Sequence, residues 1–152
     1  MRTYRKTLIS LLFVCLLIPV PAFADDMIMR RIPMTFPETM SALQAAIVAE
    51  GFKVSRVQRV DIGLTSSGYN TAEYRIVFFM REDVVHDIVK QHPELIPFLP
   101  LKITIFAERS DTLLVTLNPK KLAEFFPDLK MEKTFAKWSD EVNRILDRVQ
   151  SE

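Results

Sequence analysis

Tyr74–Met80 (YRIVFFM), Leu101–Ala107 (LKITIFA) and Leu113–Leu117 (LLVTL) decide how this chain folds. In the first run, Tyr74, Ile76, Phe78 and Met80 share one side, and Arg75, Val77 and Phe79 the other. In the second, Leu101, Ile103, Ile105 and Ala107 oppose Lys102, Thr104, Phe106 and Glu108. In the third, Leu113, Val115 and Leu117 oppose Leu114 and Thr116. Successive side chains of an extended chain point to opposite faces, so each run reads as a strand. A short polar turn within Glu108–Thr112 joins the last two into a hairpin. Both sides of the first run are largely apolar, which suits a strand covered on both faces.

The segments around these strands follow from the same rules. Arg81–Gln91 has helical spacing, with Val84, Val85, Ile88 and Val89 on one side and His86, Asp87 and Lys90 on the other. His92-Pro93, Ile96-Pro97 and Leu99-Pro100 then bend the chain. Asn118-Pro119 opens a short helix expected to end at Phe125-Phe126-Pro127. From Met131 onward, Phe135, Trp138, Val142, Ile145, Leu146 and Val149 recur every three or four residues. That stripe predicts an amphipathic C-terminal helix, packed on its own domain or on a partner.

Upstream, Met27–Met34 reads as a first strand, with Pro33 marking an edge or an exit from the ladder. Thr35-Phe36-Pro37-Glu38 has the form of a capping box, and Gly51 supplies a helix stop. Val54, Val57 and Val60 step by three, which predicts a bulged strand over the series Phe52–Ile62. Lys53, Arg56 and Arg59 interleave with it, as a solvated edge or an anion-binding rim. Gly63–Glu73 is polar and holds two of the three glycines, so it reads as a loop.

The order β-α-β-β-α-β-β plus C-terminal helices predicts an α+β fold. Its mainly antiparallel sheet has about five strands, with two helices on one face. Val77, Phe79, Phe106, Leu114 and Met29 are expected on the opposite face. Burying one large apolar side chain is worth about 1.5–3 kcal/mol, so such a face calls for a cover. The C-terminal helix or a second subunit is expected to supply it.

The start of the chain speaks of location. Arg2, Arg5 and Lys6 precede an apolar run, Leu8–Val20, and Ala22-Phe23-Ala24 fits the small-x-small cleavage rule. The expected division is a signal peptide at 1–24, an α+β domain at 25–127 and the amphipathic helix at 128–152. The expected compartment is the periplasm, with a retained signal anchor as the alternative and no transmembrane segment after signal removal. The single cysteine, Cys15, leaves with the signal. The mature chain then has no disulfide, no thiolate nucleophile and no cysteine-held cluster. It also loses three positive charges, moving from a formal +1 to −2. Such a chain has no electrostatic footprint for nucleic acid.

Few side chains invite chemistry. His86 and His92 are six apart and do not share a helix face, and nothing marks a nucleophile elbow. Met27, Met29 and Met34 could offer thioethers to copper, and Tyr69, a histidine or a methionine could ligate haem. No cofactor is predicted, with copper or haem as the alternative. Arg75 stands in an apolar strand, where a guanidinium needs a carboxylate or a ligand. Glu73, Glu108 or a bound anion are its candidate partners. A small-molecule site is expected between the Gly63–Glu73 loop and the sheet, through Tyr69, Tyr74 and Arg75.

These residues resemble the bacterial domain-of-unknown-function 302 family. The resemblance runs from about Phe36 to Pro119. It rests on Gly51-Phe52-x-Val54, Tyr74-Arg75-Ile76, Leu99-Pro100 and Asn118-Pro119 in that order. It implies a small α+β domain, often dimeric, without an agreed activity. Many relatives carry a cysteine after the Leu-Pro pair and Asn-Pro after the Tyr-Arg-Ile strand. Leu101 and Met80-Arg81 stand there in this chain, so a thiol role does not carry over. The resulting expectation is an exported, non-enzymatic binding or accessory domain. It would act as a homodimer, with a small molecule or a periplasmic protein as partner. The alternative is a metal- or haem-associated redox accessory protein or enzyme.

Overall fold

The computed structural model describes residues 26–152. The signal segment expected at 1–24, Cys15 and the cleavage point lie outside the described residues.

Five strands form one antiparallel sheet in the order β1-β5-β4-β3-β2. They are β1 (Met27–Ile32), β2 (Lys53–Arg59), β3 (Tyr74–Met80), β4 (Leu101–Glu108) and β5 (Asp111–Leu117). The helices are α1 (Phe36–Ala49), α2 (Val60–Ser66), α3 (Glu82–Gln91), α4 (Leu122–Phe125) and α5 (Glu132–Gln150). Short 3-10 turns at Pro93–Phe98, Pro119–Lys121 and Pro127–Leu129 connect them. The α+β expectation and the strand order along the chain are met.

Local chemistry explains the best-defined boundaries. The Thr35 backbone N–H donates to Glu38 Oε2 at 3.0 Å, and the Thr35 hydroxyl donates to the same oxygen at 2.6 Å. These bonds hold the Glu38 carboxyl below the usual range and fix the start of α1. At the other end Gly51 adopts φ +79°. Its N–H donates to Val48 O, and the Phe52 N–H reaches back to Ile47 O. That pattern is a Schellman stop, which a residue without a Cβ forms most cheaply. β2 carries the predicted bulge: Val54 faces Phe79 and Arg56 faces Phe78, so Ser55 is the extra residue.

Sheet register sets the two faces. Ile32 with Thr112, Ile105 with Leu114, and Val77 with Ile103 are cross-strand partners on the inner face. With Phe79 and Ile28, the apolar members of these pairs form the main core. α1 and α5 pack side by side on that face and supply Leu43, Ala46, Ile47, Val142, Ile145, Leu146 and Val149. The C-terminal helix therefore packs on its own domain. A second cluster of Leu95, Leu122, Phe135 and Trp138 joins the 3-10 turn at Pro93–Phe98, α4 and α5 at one end of the sheet.

Three expectations need correction. Val77, Phe79 and Leu114 lie on the inner, helix-covered face and not on the outer one. Phe106 and Met29 are outside as expected, but their outer neighbours are Tyr74, Ile76, Phe78, Leu113 and Val115. The C-terminal helix lies beside α1 and leaves the outer face open. The start of the expected polar loop is the end of a helix: α2 begins where the β2 series was expected to continue. Its stop repeats that of α1, with Gly68 at φ +87°, Gly68 N–H to Thr65 O and Tyr69 N–H to Leu64 O.

Candidate functional site

The three residues expected to bind a ligand do not converge. Tyr74 and Arg75 are consecutive on β3 and point to opposite faces. Tyr74 lies on the outer face, edge-to-face with Phe106 at 6.1 Å between centroids. Tyr69 is 65 % exposed beyond the end of α2. Arg75 lies on the inner face and forms an ion pair with Asp61 of α2. Its guanidinium also sits 5.4 Å from the Phe36 ring centroid. Neither Glu73 nor Glu108 is its partner; Glu108 of β4 pairs with Arg31 of β1 across β5. Burial opposes the charge on Asp61. The Arg75 guanidinium and the Ile62 backbone N–H outweigh it and hold the carboxyl below its ordinary range. Arg75 thus has a structural partner and makes no call on an anion.

The histidines and methionines are scattered as well. His86 lies beside Asp87, and His92 beside Glu94. Met27 and Met29 stand on the outer face, while Met34 packs against the core. Among the described residues no group of three or more histidine, cysteine, aspartate or glutamate side chains could hold a metal.

A different set of residues does converge. β3 ends at Met80, and Arg81 stands just before α3. The space behind them is lined by Phe52, Phe79, Met80, Arg81, Val84, Val85, Leu99, Leu101 and Trp138. Each element has a reason to be there. The Schellman stop of α1 delivers Phe52, whose ring meets Phe79 edge-on at 5.3 Å. Leu99 ends the 3-10 turn and precedes the cis bond to Pro100, and Leu101 opens β4. The apolar stripe of α5 places Trp138 against Phe135, at 5.7 Å.

Arg81 is the polar centre of this pocket. Its Nη1 donates to Glu141 Oε1 at 2.8 Å and its Nη2 to the Glu50 carbonyl at 2.7 Å. The guanidinium carbon lies 4.0 Å from the Phe52 ring centroid. The Glu141 side chain is only 3 % exposed. Its second oxygen, Oε2, is enclosed and has no hydrogen-bond partner among the described residues. Nearby, Arg144 Nε and Arg148 Nη2 reach the Glu50 carboxylate at 2.9 and 3.2 Å. The hydrogen bond from Arg144 leads the effects that lower the Glu50 pKa. Three guanidiniums thus gather at the C-terminal end of α1, where the helix dipole favours positive charge.

Sequence reasoning did not single out Arg81, Glu141 or Trp138 as a group. One signal was available: Glu141 falls between Trp138 and Ile145 at spacings of three and four, inside the apolar stripe. A carboxylate in that stripe demands a buried partner. Met80, Arg81 and Leu101, where the chain departs from the resembled pattern, all line the pocket. The lining contains no nucleophile and no histidine.

Comparison with known proteins agrees with the fold. The crystal structure of the uncharacterized conserved protein DUF302 from Bacillus stearothermophilus is similar, with a TM-score of 0.75 and 20% sequence identity. The similarity covers 83% of this chain and 99% of that one. No curated protein matches the chain. The family model described as domain of unknown function DUF302 matches residues 28–149, a span that takes in α5 and extends past the Phe36–Pro119 of the sequence resemblance. With most of its length so matched, the chain belongs to the DUF302 family.

Proposed function

We propose that this chain is an exported binding or accessory domain of the periplasm, and that it pairs with a second copy through the outer face of its sheet. The signal-like features of residues 2–24 support export. Among the described residues no helix is long and apolar enough to cross a membrane.

The outer face is the observation that carries the pairing. Ile76, Phe78, Phe106, Leu113 and Val115 are only partly buried there, and Met27 and Met29 are 48 % and 53 % exposed. Both main helices lie on the other side. A largely apolar face of this kind, with Thr104 and Lys102 set among the apolar residues, marks an interaction surface. A second copy offers the same face by symmetry, and an isologous contact buries both at once. The flanking edge strand β2 carries Lys53, Arg56 and Arg59, which discourage edge-to-edge pairing and favour a face-to-face contact.

Protein recovered from a periplasmic extract should begin at Asp25 and show twice the monomer mass in light scattering. Ile76→Lys and Val115→Lys place a charge in the middle of the face, and each should halve the mass while leaving the circular dichroism unchanged. A wild-type monomer at high concentration, or a full-length chain held in the membrane fraction, would overturn the reading.

A further inference from the structure

Prolines flank one end of the sheet. Pro100 precedes β4, and Asn118-Pro119 follows β5. A proline has no N–H to give a ladder, and β4 and β5 stop pairing before they reach these two. Their register runs from Glu108–Asp111 to Thr104–Val115. Beyond it each strand keeps its other neighbour: Lys102 stands opposite Phe78 of β3, and Leu117 opposite Met27 of β1. A side chain supplies the link between them, for the Thr116 hydroxyl donates to the Lys102 carbonyl at 2.7 Å.

Where the strands part lies a partly enclosed groove of about 240 Å³. Pro97, Phe98, Leu101, Leu117, Pro119 and Leu122 give it apolar walls. These walls are held from behind. Phe98 meets Phe126 edge-on at 5.5 Å and stacks on Phe125 at 6.2 Å, and Leu122 is buried in the second cluster. The groove therefore exists without any movement of the chain. Grooves of comparable size beside Asp61, Arg30 and Glu50 are lined mainly by polar side chains.

Lys102 is the only charged residue in the lining, and no carboxylate shares it. The lysines of the adjoining turn are engaged elsewhere: Lys121 pairs with Asp26 and Glu124, and Lys120 lies 3.9 Å from Asp140. Arg56 stands in the same row of the outer face as Lys102, on the far side of Phe78. An anion at this mouth meets an ammonium, and a cation meets repulsion.

We propose that this groove binds a short-chain carboxylic acid in its ionised form. The hydrocarbon body packs among Phe98, Leu117, Pro119 and Leu122, and the carboxylate meets the Lys102 ammonium. The space falls below the roughly 300–1,000 Å³ of sites for drug-sized ligands, which suits a small body. Each methylene removed from water adds roughly fourfold to affinity. An exposed ammonium adds about fivefold at most, so Lys102 supplies selectivity more than strength. The inference rests on the binding role proposed for the domain and names its ligand class.

The mature protein, isotope-labelled on its amides, is titrated with hexanoate, hexan-1-ol and acetate at neutral pH. Hexanoate should give saturable amide shifts centred on Phe98, Lys102, Leu117 and Leu122. Acetate has the charge without the body and should bind roughly a hundredfold more weakly. Lys102 is exposed, so Lys102→Gln keeps the fold. It should weaken hexanoate about fivefold and change hexan-1-ol by less than about twofold. Ile76→Lys, which breaks the proposed pairing, should bind hexanoate as wild type does, so groove and sheet face fail separately. No saturable shift, shifts centred elsewhere, acetate as tight as hexanoate, an unchanged acid-to-alcohol ratio in Lys102→Gln, or lost binding in folded Ile76→Lys would overturn the site.

Discussion

Arg75 and Arg81 stand six residues apart, one within β3 and one just past its end, and each is matched by a carboxylate from another element. Arg75 and Asp61 are 12 % and 14 % exposed at their side chains. The Asp61 pKa is lower in the folded state than in the open chain, so the pair contributes stability above the ordinary aspartate pKa of about 3.9. That contribution is lost as pH falls through the folded value. Asp61→Asn should therefore melt below wild type at pH 7, and the difference should shrink as the pH drops below about 4. Thermal melts across that range check it, and a difference that stays constant would refute the linkage. Arg81→Met leaves Glu141 enclosed without its counter-charge. The expected loss is about 2–4 kcal/mol, reduced from the fully buried case because the Arg81 side chain is 27 % exposed. Adding Glu141→Leu should recover most of it. Urea denaturation of the two single variants and the pair measures the coupling, and simple additivity would show that the two groups act independently. That Arg75 needed a partner was legible in the sequence. Which carboxylate answers it was not, because the turn of α2 decides where Asp61 stands.

At the scale of elements, the strength of local signals separates what was legible from what was not. α1 has a capping box, a proline in its first turn and a glycine stop, and its bounds followed directly. α5 has an unbroken apolar stripe and likewise followed. α2 holds three β-branched residues and Gly63 within its first six positions and buries none of its seven. Its intrinsic helix preference is poor, so nothing local announced it. The Asp61–Arg75 pair and the stop at Gly68 fix it at its two ends. α3 was legible as a helix, and its apolar side is only half-buried: Ile88 packs against the second cluster, while Val84 is exposed. An element with so little burial opens at low cost. Its amides, probed by hydrogen exchange in the ligand-free protein, should exchange at least a hundredfold faster than those of α5, about 2.7 kcal/mol. Equal protection in the two helices would mean that α3 opens only with the whole domain.

The whole molecule is a sheet with one covered face and one open face. α1 and α5 close the inner side, and the outer side is left for the pairing proposed above. β3 shows why this asymmetry was hard to read: Val77 and Phe79 on one side, Ile76 and Phe78 on the other, are equally apolar. Alternation establishes that such a strand has two faces and is silent about which one is inner. The sequence by itself determined the strands, most of the helices, the caps of α1, the presence of a bulge in β2 and the antiparallel α+β class. All of these depend on interactions within a few residues. Only the tertiary structure decided that Val77, Phe79 and Leu114 face inward, that Asp61 answers Arg75, and that Arg81 meets Glu141 beside Trp138. Those outcomes depend on register and on helix placement across separations of up to 60 residues, where no local preference chooses between faces.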